Sequence, residues 1–201
     1  MPDAALDVVS DPLDLFRRWL EEAGRSEPND PNAMALATCG RDGTPSVRMV
    51  LLKGVDERGF VFYTNKQSRK AEQIEERRSA GLLFHWKSLR RQVRVEGPIE
   101  DVDAADADAY FRSRARISRL GAIASDQSRP LPDRSELERR LAEADARYPG
   151  EDVPRPAHWS GYRVLPEMIE FWQDMPHRLH DRMVYRSGGS EGGWRTTRLY
   201  P

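Results

Sequence analysis

The stretch Arg178-Leu179-His180-Asp181-Arg182 concentrates the groups in this chain best suited to chemistry. In an extended backbone, side chains alternate between two faces. Arg178, His180 and Arg182 then share one face, with Leu179 and Asp181 on the other. Two guanidiniums and an imidazole side by side repel one another, so that face turns either to water or to an anion. Just upstream, Ile169-Glu170-Phe171-Trp172-Gln173 is apolar and aromatic. A cationic row beside aromatic rings suits a planar, phosphate-bearing ligand. A solvated edge strand whose charges oppose aggregation fits the same letters.

Other segments could also grip an anion. Tyr63-Thr64-Asn65-Lys66-Gln67-Ser68-Arg69-Lys70 joins a strand end to a helix start. A helix N-terminus offers unpaired N–H groups and a positive dipole end. Arg69 and Lys70 oppose that dipole, which points to a phosphate offsetting the repulsion; an exposed basic turn is the alternative. The loop has no glycine, so it is neither a P-loop nor a Rossmann turn. Tyr110, Arg114 and Ser118 recur at four-residue spacing and would stack along one face of a continuing helix. Phenol, guanidinium and hydroxyl can together bind one phosphate, although a helix surface with an aromatic anchor has the same spacing. In Val47–Lys53, Arg48, Val50 and Leu52 take one face and Met49, Leu51 and Lys53 the other. That strand could hold an anion at either end, or be a core strand with snorkelling ends. Gln127-Ser128 could donate to a ligand.

Other chemistries are poorly represented. His177 and His180 lie three apart, but no HExxH and no cysteine pair supports a metal site. There is no G-x-S-x-G elbow, and the acidic residues are scattered. Cys39 is the only cysteine, so no intrachain disulfide forms. The 201 residues carry 32 basic and 33 acidic side chains, a formal net charge of −1, which argues against a general nucleic-acid surface. No apolar run is long enough to span a bilayer, and the first residues lack a secretory pattern. A soluble, cytoplasmic protein is expected.

The elements that must position these groups read mostly as strands. Residues 1–10 read as a flexible tail and 11–201 as one domain. Asp11-Pro12 is a helix start, and Leu13, Phe16 and Leu20 form its apolar stripe, with Gly24 as terminator. Strands are expected at 33–38, 46–53, 60–64, 81–86, 92–99, 159–165, 167–172, 178–186 and 194–200. The first links are too short for helical crossovers, so hairpins are expected. Helices are expected from Ser68 to about Arg77, from Asp103 to about Arg114 and from Ser135 to Tyr148. Gly188–Gly193 reads as a flexible turn. Many short strands with peripheral helices imply a mainly β, closed or nearly closed antiparallel barrel.

In order and spacing, Arg48–Lys53, Phe62–Asn65, Ser68-Arg69-Lys70, Arg91-Gln92-Val93, Tyr110-Phe111, Ser113-Arg114, Asp126-Gln127-Ser128, Phe171-Trp172-Gln173 and Arg178–Arg182 resemble the pyridoxine (pyridoxamine) 5′-phosphate oxidase family. These are FMN enzymes with an antiparallel split β-barrel, and the resemblance runs from about Asp11 to Pro201. It implies FMN held by Arg48, Met49, Val50, Leu51, Tyr63, Thr64, Arg69 and Lys70. Gln92, Gln127, Ser128, Trp172 and Arg182 would complete that site. It implies a homodimer with the flavin at the interface, and a substrate phosphate on Lys53, Tyr110, Arg114 and Ser118. Arg178 and His180 would be catalytic, covering the pyridine ring of pyridoxine 5′-phosphate or pyridoxamine 5′-phosphate, with O2 as final acceptor. A flavin oxidase of phenazine biosynthesis and a non-catalytic FMN or pyridoxal phosphate carrier are the alternatives. Asp174-Met175-Pro176 stands where glycine often follows Trp-Gln in relatives, so that turn is expected to differ. Ala115 and Ile123 replace residues that are often proline and tryptophan.

Overall fold

The computed structural model describes residues 5–189 and 192–201. Asp11 caps the first helix, α1 (Pro12–Ser26), its carboxylate accepting from the Leu13 N–H at 2.8 Å. The helix passes through Gly24, expected to end it, and closes where the Glu27 N–H donates to Ala23 O. Gly24 keeps a helical backbone there, with no left-handed φ to favour a stop.

Strands β1 (Ala33–Cys39) and β2 (Pro45–Leu51) form the expected hairpin. After them come β3 (Gly54–Asp56), β4 (Gly59–Asn65), helix α2 (Arg69–Glu76), β5 (Ser79–Trp86) and β6 (Arg91–Asp101). Helices α3 (Ala104–Ser113), α4 (Arg116–Ala124) and α5 (Arg134–Arg147) cover one side. The chain closes with β7 (Trp159–Val164), β8 (Met168–Gln173), β9 (Asp181–Ser187) and β10 (Trp194–Leu199). Short β3 and helix α4 were not anticipated. At three residues, β3 is too brief to show alternation. Helix α4 falls where the Tyr110–Ser118 spacing suggested one continuing helix, so a separate element was not expected there.

The pairing is antiparallel throughout, in the order β10-β9-β8-β6-β5-β1-β2. Strand β6 bends the sheet on itself. Its first part pairs with β5 and β8, and Ile99–Asp101 pairs with β7, which continues to β4 and β3. Among the described strands β2 pairs only with β1, and β3 only with β4, so the barrel stays split.

Helix α1 plugs this curled sheet. Phe16, with no exposed surface, sits 4.9 Å from the ring of Phe60 and 4.8 Å from that of Phe84. Trp19 packs edge-on against Phe171 at 5.1 Å. A smaller cluster of Phe111, Leu120, Ala144, Val153 and Trp159 fixes α3–α5 to the sheet. No helix among the described residues is long and apolar enough to cross a membrane.

Of the expected tail, 1–4 lie outside the described residues. Residues 6–9 are tied to the sheet: the Leu6 N–H donates to Asp181 at 2.6 Å, and the Val9 N–H to the Tyr185 hydroxyl at 3.1 Å. Of the turn expected at Gly188–Gly193, Ser190 and Glu191 also lie outside the described residues.

Candidate active site

The ends of β2 and β4, the start of α2 and the α3–α4 junction enclose a cleft of about 680 Å³. It brings together Met49, Val50, Leu51, Lys53, Tyr63, Thr64, Lys70, Tyr110, Arg114, Ser118 and Gln127. No carboxylate appears among the described residues lining it. Three cations thus face a space with no counter-charge among the described residues that line it.

The helix expected to carry Tyr110, Arg114 and Ser118 is broken. Helix α3 stops at Ser113, Arg114 is extended (φ −75°, ψ 149°), and α4 begins at Arg116. The break still delivers all three side chains to the cleft. Arg114 lies over the Trp159 ring, 4.9 Å from its centroid, and its buried Nη1 has no hydrogen-bond partner among the described residues. Burial pulls its pKa below the ordinary arginine value. Tyr63 stacks on Tyr110 at 4.2 Å and on Trp159 at 5.4 Å. Gly161 makes room for this stack, since a Cβ there would come within 2.7 Å of the Tyr63 ring.

Lys70 is the second cation. Its Nζ donates to Thr64 Oγ1 (3.1 Å), Ser68 Oγ (3.2 Å) and Gln127 Oε1 (3.0 Å), all neutral oxygens. Burial, and then the charge of Arg48, lower its pKa to about 8. Ser68 does not cap α2 with its side chain; its hydroxyl donates to Asn65 O at 2.7 Å. Arg48 lies behind the cleft. It donates to Thr38 Oγ1 (2.5 Å), Ser46 Oγ (2.7 Å), Leu36 O and Ser46 O (both 3.1 Å) and Gln73 Oε1 (3.2 Å). Burial and Arg69 lower its pKa. Arg69 lines a neighbouring pocket with Asp42, Glu72 and Glu76, and Ser128, left-handed at φ 71°, sits outside the lining of the main cleft.

The wall at β2 is an open strand edge. The Leu52 N–H donates to Asn32 O, so in this register Met49 and Leu51 turn their N–H and C=O groups away from β1. Val47 and Met49 are also more than 60% exposed, at 63% and 64%.

A second group of candidate residues lies elsewhere. Gln92, Trp172 and Arg182 are direct cross-strand partners on β6, β8 and β9, and line a cleft of about 230 Å³ with Arg94 and Glu170. Here the cations are paired: buried Glu170 accepts from Arg182 Nε at 2.7 Å and from Arg94 Nη1 at 3.0 Å. Arg178 and His180 are not in the extended strand expected for them. Pro176–Arg178 is a 3-10 turn, His177 and Arg178 have φ of 58° and 63°, and β9 starts only at Asp181. Positive φ in consecutive non-glycine residues stores strain. Arg178 is exposed. The His180 ring lies 4.6 Å from that of Trp172, and its Nδ1 is 2.9 Å from Asp174 Oδ1.

Glu170 and Asp174 were missed because the carboxylates look scattered in sequence. The departure at Asp174-Met175-Pro176 was the one local signal. No cluster among the described residues could hold a metal ion.

Comparison with known proteins gives a consistent result. Residues 20–148 match the pyridoxamine 5′-phosphate oxidase family, and residues 159–201 match the pyridoxine 5′-phosphate oxidase C-terminal dimerisation region. A pyridoxine/pyridoxamine 5′-phosphate oxidase of Gluconobacter oxydans is 64% identical over 196 residues, covering 98% of this chain and 97% of that one. One from Rhodospirillum rubrum is 65% identical, covering 95% and 96%. The crystal structure of PhzG from Burkholderia lata, in complex with tetrahydrophenazine-1-carboxylic acid, superposes with a TM-score of 0.89 at 33% identity over 98% of this chain and all of that one. An FMN-binding protein from Nostoc punctiforme has the same fold, with a TM-score of 0.75 at 18% identity over 95% of this chain and 98% of that one. The chain belongs to the pyridoxamine 5′-phosphate oxidase family.

Proposed function

We propose that this protein is an FMN-dependent oxidase. It converts pyridoxine 5′-phosphate or pyridoxamine 5′-phosphate, with O2, to pyridoxal 5′-phosphate and H2O2. The amine also consumes water and releases ammonia. The observation that carries this reading is a cleft in which Lys53, Tyr110, Arg114 and Ser118 meet, with no carboxylate among its described lining residues. Buried Arg114 Nη1 lacks a hydrogen-bond partner among the described residues, as a group reserved for an anion would.

The residues also fit FMN. Lys70, with Thr64 and Gln127, offers a cation and polar groups to its phosphate, and Arg48, Arg69 and Ser128 support that corner. The open edge at Met49–Leu51, with Val50, offers main-chain donors and acceptors to the ring, and Tyr63 closes the cleft. When bound, FMN supplies the acceptor for a hydride from the substrate's carbinol or aminomethyl carbon. The protein's part is positioning and electrostatics. Tyr110, Arg114, Ser118 and Lys53 fix the substrate phosphate. Arg178 stabilises charge at the reacting end, and His180 orients the ring or handles a proton.

In one chain Gln92, Trp172 and Arg182 line a different cleft from Lys70 and Tyr63. Trp172, Arg178, His180 and Arg182 all lie in the stretch that matches the dimerisation region. A homodimer that sets one subunit's second group against its partner's first completes two flavin sites at the interface. A single split-barrel domain over 11–201 and a cytoplasmic location belong to the same reading.

The likeness to PhzG supports a second reading, oxidation of a phenazine precursor. The phosphate-binding set favours the phosphorylated pyridine. The test is to incubate FMN-loaded protein with pyridoxine 5′-phosphate in air and follow aldehyde and peroxide. Turnover supports the oxidase. Activity only on a dihydrophenazine supports the second reading, and an inert yellow protein indicates a carrier.

A further inference from the structure

His180 Nδ1 faces two groups that cannot both bond to it in one protonation state. Asp174 Oδ1 lies 2.9 Å away and only accepts; the Met175 N–H lies 3.3 Å away and only donates. If Nδ1 carries a proton, it donates to Asp174. If it does not, it accepts from Met175 and sets its lone pair against a carboxylate oxygen. The charge-assisted bond is shorter and stronger, while the 3.3 Å contact is at the long end for an N–H donor. The first arrangement wins.

The carboxylate is itself held. Arg90 Nη2 pairs with its other oxygen, Oδ2, and the Asp174 N–H donates to Arg90 O at 3.0 Å. The Asp174 side chain is 17% exposed and that of His180 is 18%. Trp172 packs against the imidazole ring. His180 Nε2 makes no hydrogen bond within the described residues.

We propose that Asp174 is a positioning residue for His180. Its carboxylate selects the Nδ1–H tautomer and leaves Nε2 as a hydrogen-bond acceptor toward the substrate. This rests on the reading, given above, that His180 covers the substrate ring. Arg90 clamps the carboxylate so that Oδ1 stays aimed at Nδ1. The arrangement follows the general logic of an imidazole whose far nitrogen is oriented by a carboxylate.

Nitrogen-15 NMR of the FMN-loaded protein tests it without turnover. The chain has four histidines, so a histidine-labelled sample gives few signals, and His180→Ala identifies the relevant pair. At a pH where the ring is neutral, wild-type His180 should show a protonated Nδ1 and a bare Nε2. Asp174→Asn keeps the shape. Arg90 then takes the amide oxygen, the NH2 faces Nδ1, and the tautomer should flip to Nε2–H. Asp174→Ala leaves only the Met175 N–H facing Nδ1 and should flip it too. In both variants kcat should fall about 100-fold, the low end for acid–base participation, with KM and FMN content little changed.

A wild-type ring found as Nε2–H overturns the proposal, as does an unchanged tautomer in both variants or an unchanged kcat in a variant whose tautomer has flipped. If His180→Ala turns over normally, the substrate-facing reading of His180 falls, and the proposal with it. A wrong tautomer beside an inactive His180→Ala removes only the role given to Asp174.

Discussion

The two clefts use the same residue types in opposite ways. In the larger one, Lys70 and Arg114 meet neutral oxygens and aromatic faces but no carboxylate among the described residues, and burial lowers the pKa of both. In the smaller one, Arg94 and Arg182 share the buried carboxylate of Glu170. A cation with an internal counter-ion is satisfied by folding and adds rigidity. A partly desolvated cation without one destabilises the empty fold and is relieved when an anion binds. The larger cleft is therefore built for ligand, and the smaller one for a fixed sheet surface that a ligand can lie against.

The sharpest way to break this contrast is at Arg178, the exposed cation of the strained turn. Arg178→Ala should lower kcat by about 10²–10³-fold, the usual loss when an electrostatic stabiliser is removed. FMN content should hardly change. Equal loss of flavin and turnover would place Arg178 among the cofactor ligands instead.

Arg114→Leu comes next. Loss of a charge-assisted bond costs about 1.5–3 kcal/mol, so kcat/KM for pyridoxine 5′-phosphate should drop by roughly 10–100-fold. Thermal stability of the FMN-free protein should hold or rise, because a half-buried guanidinium with no carboxylate partner among the described residues has been removed. A clear fall in stability would mean that Arg114 is a structural residue, paired in a way the cleft does not suggest.

Much of this was legible in the sequence, for identifiable reasons. The β2 faces followed from alternation: Arg48 and Val50 point inward while Met49 and Leu51 are exposed. Asp11-Pro12 marked the start of α1 because capping is local chemistry. What failed was non-local or depended on backbone sign. Arg178–His180 alternates like a strand, but Pro176 and the left-handed His177 and Arg178 turn it out of the sheet. The four-residue spacing of Tyr110, Arg114 and Ser118 suggested one helix, whereas the extended Arg114 joins two. Nothing in sequence order says that Glu170 neutralises Arg94 and Arg182, or that Asp174 meets His180. Those pairings depend on cross-strand register and on a tight turn. For the same reason the candidate residues could be named, but not sorted into two clefts.

The satisfied side of the contrast predicts the converse of Arg114. Glu170→Gln leaves two arginines with a weaker acceptor on the sheet. Arg94 is 46% exposed and Arg182 27%, so water offsets part of the loss. The expected cost is about 1–2 kcal/mol in a denaturant titration, below that of breaking a fully buried pair. Flavin binding should change less than stability does. If stability were unaffected, the pairing would contribute nothing and the two clefts would be electrostatically alike.

The smallest expected effect concerns Lys70 and pH. Its pKa is lowered to about 8, first by burial and then by Arg48. Between that value and the ordinary lysine range the unfolded chain binds more protons than the folded one. Stability of the FMN-free protein therefore rises with pH across that window through this group. Flavin affinity should run the other way. A phosphate beside Lys70 favours the ammonium form, so binding above about pH 8 must first restore the proton, and affinity weakens by at most about tenfold per unit. Below that pH the lysine is already charged and affinity should be level. Arg48 and Arg69 keep their charge throughout, which holds the overall change to a few-fold. Quenching of FMN fluorescence on either side of pH 8 measures it, and Lys70→Met should remove the step. A dissociation constant that stays flat well above pH 8 in the wild type would show that Lys70 is not beside the flavin phosphate. The lowered pKa would then be a feature of the fold alone.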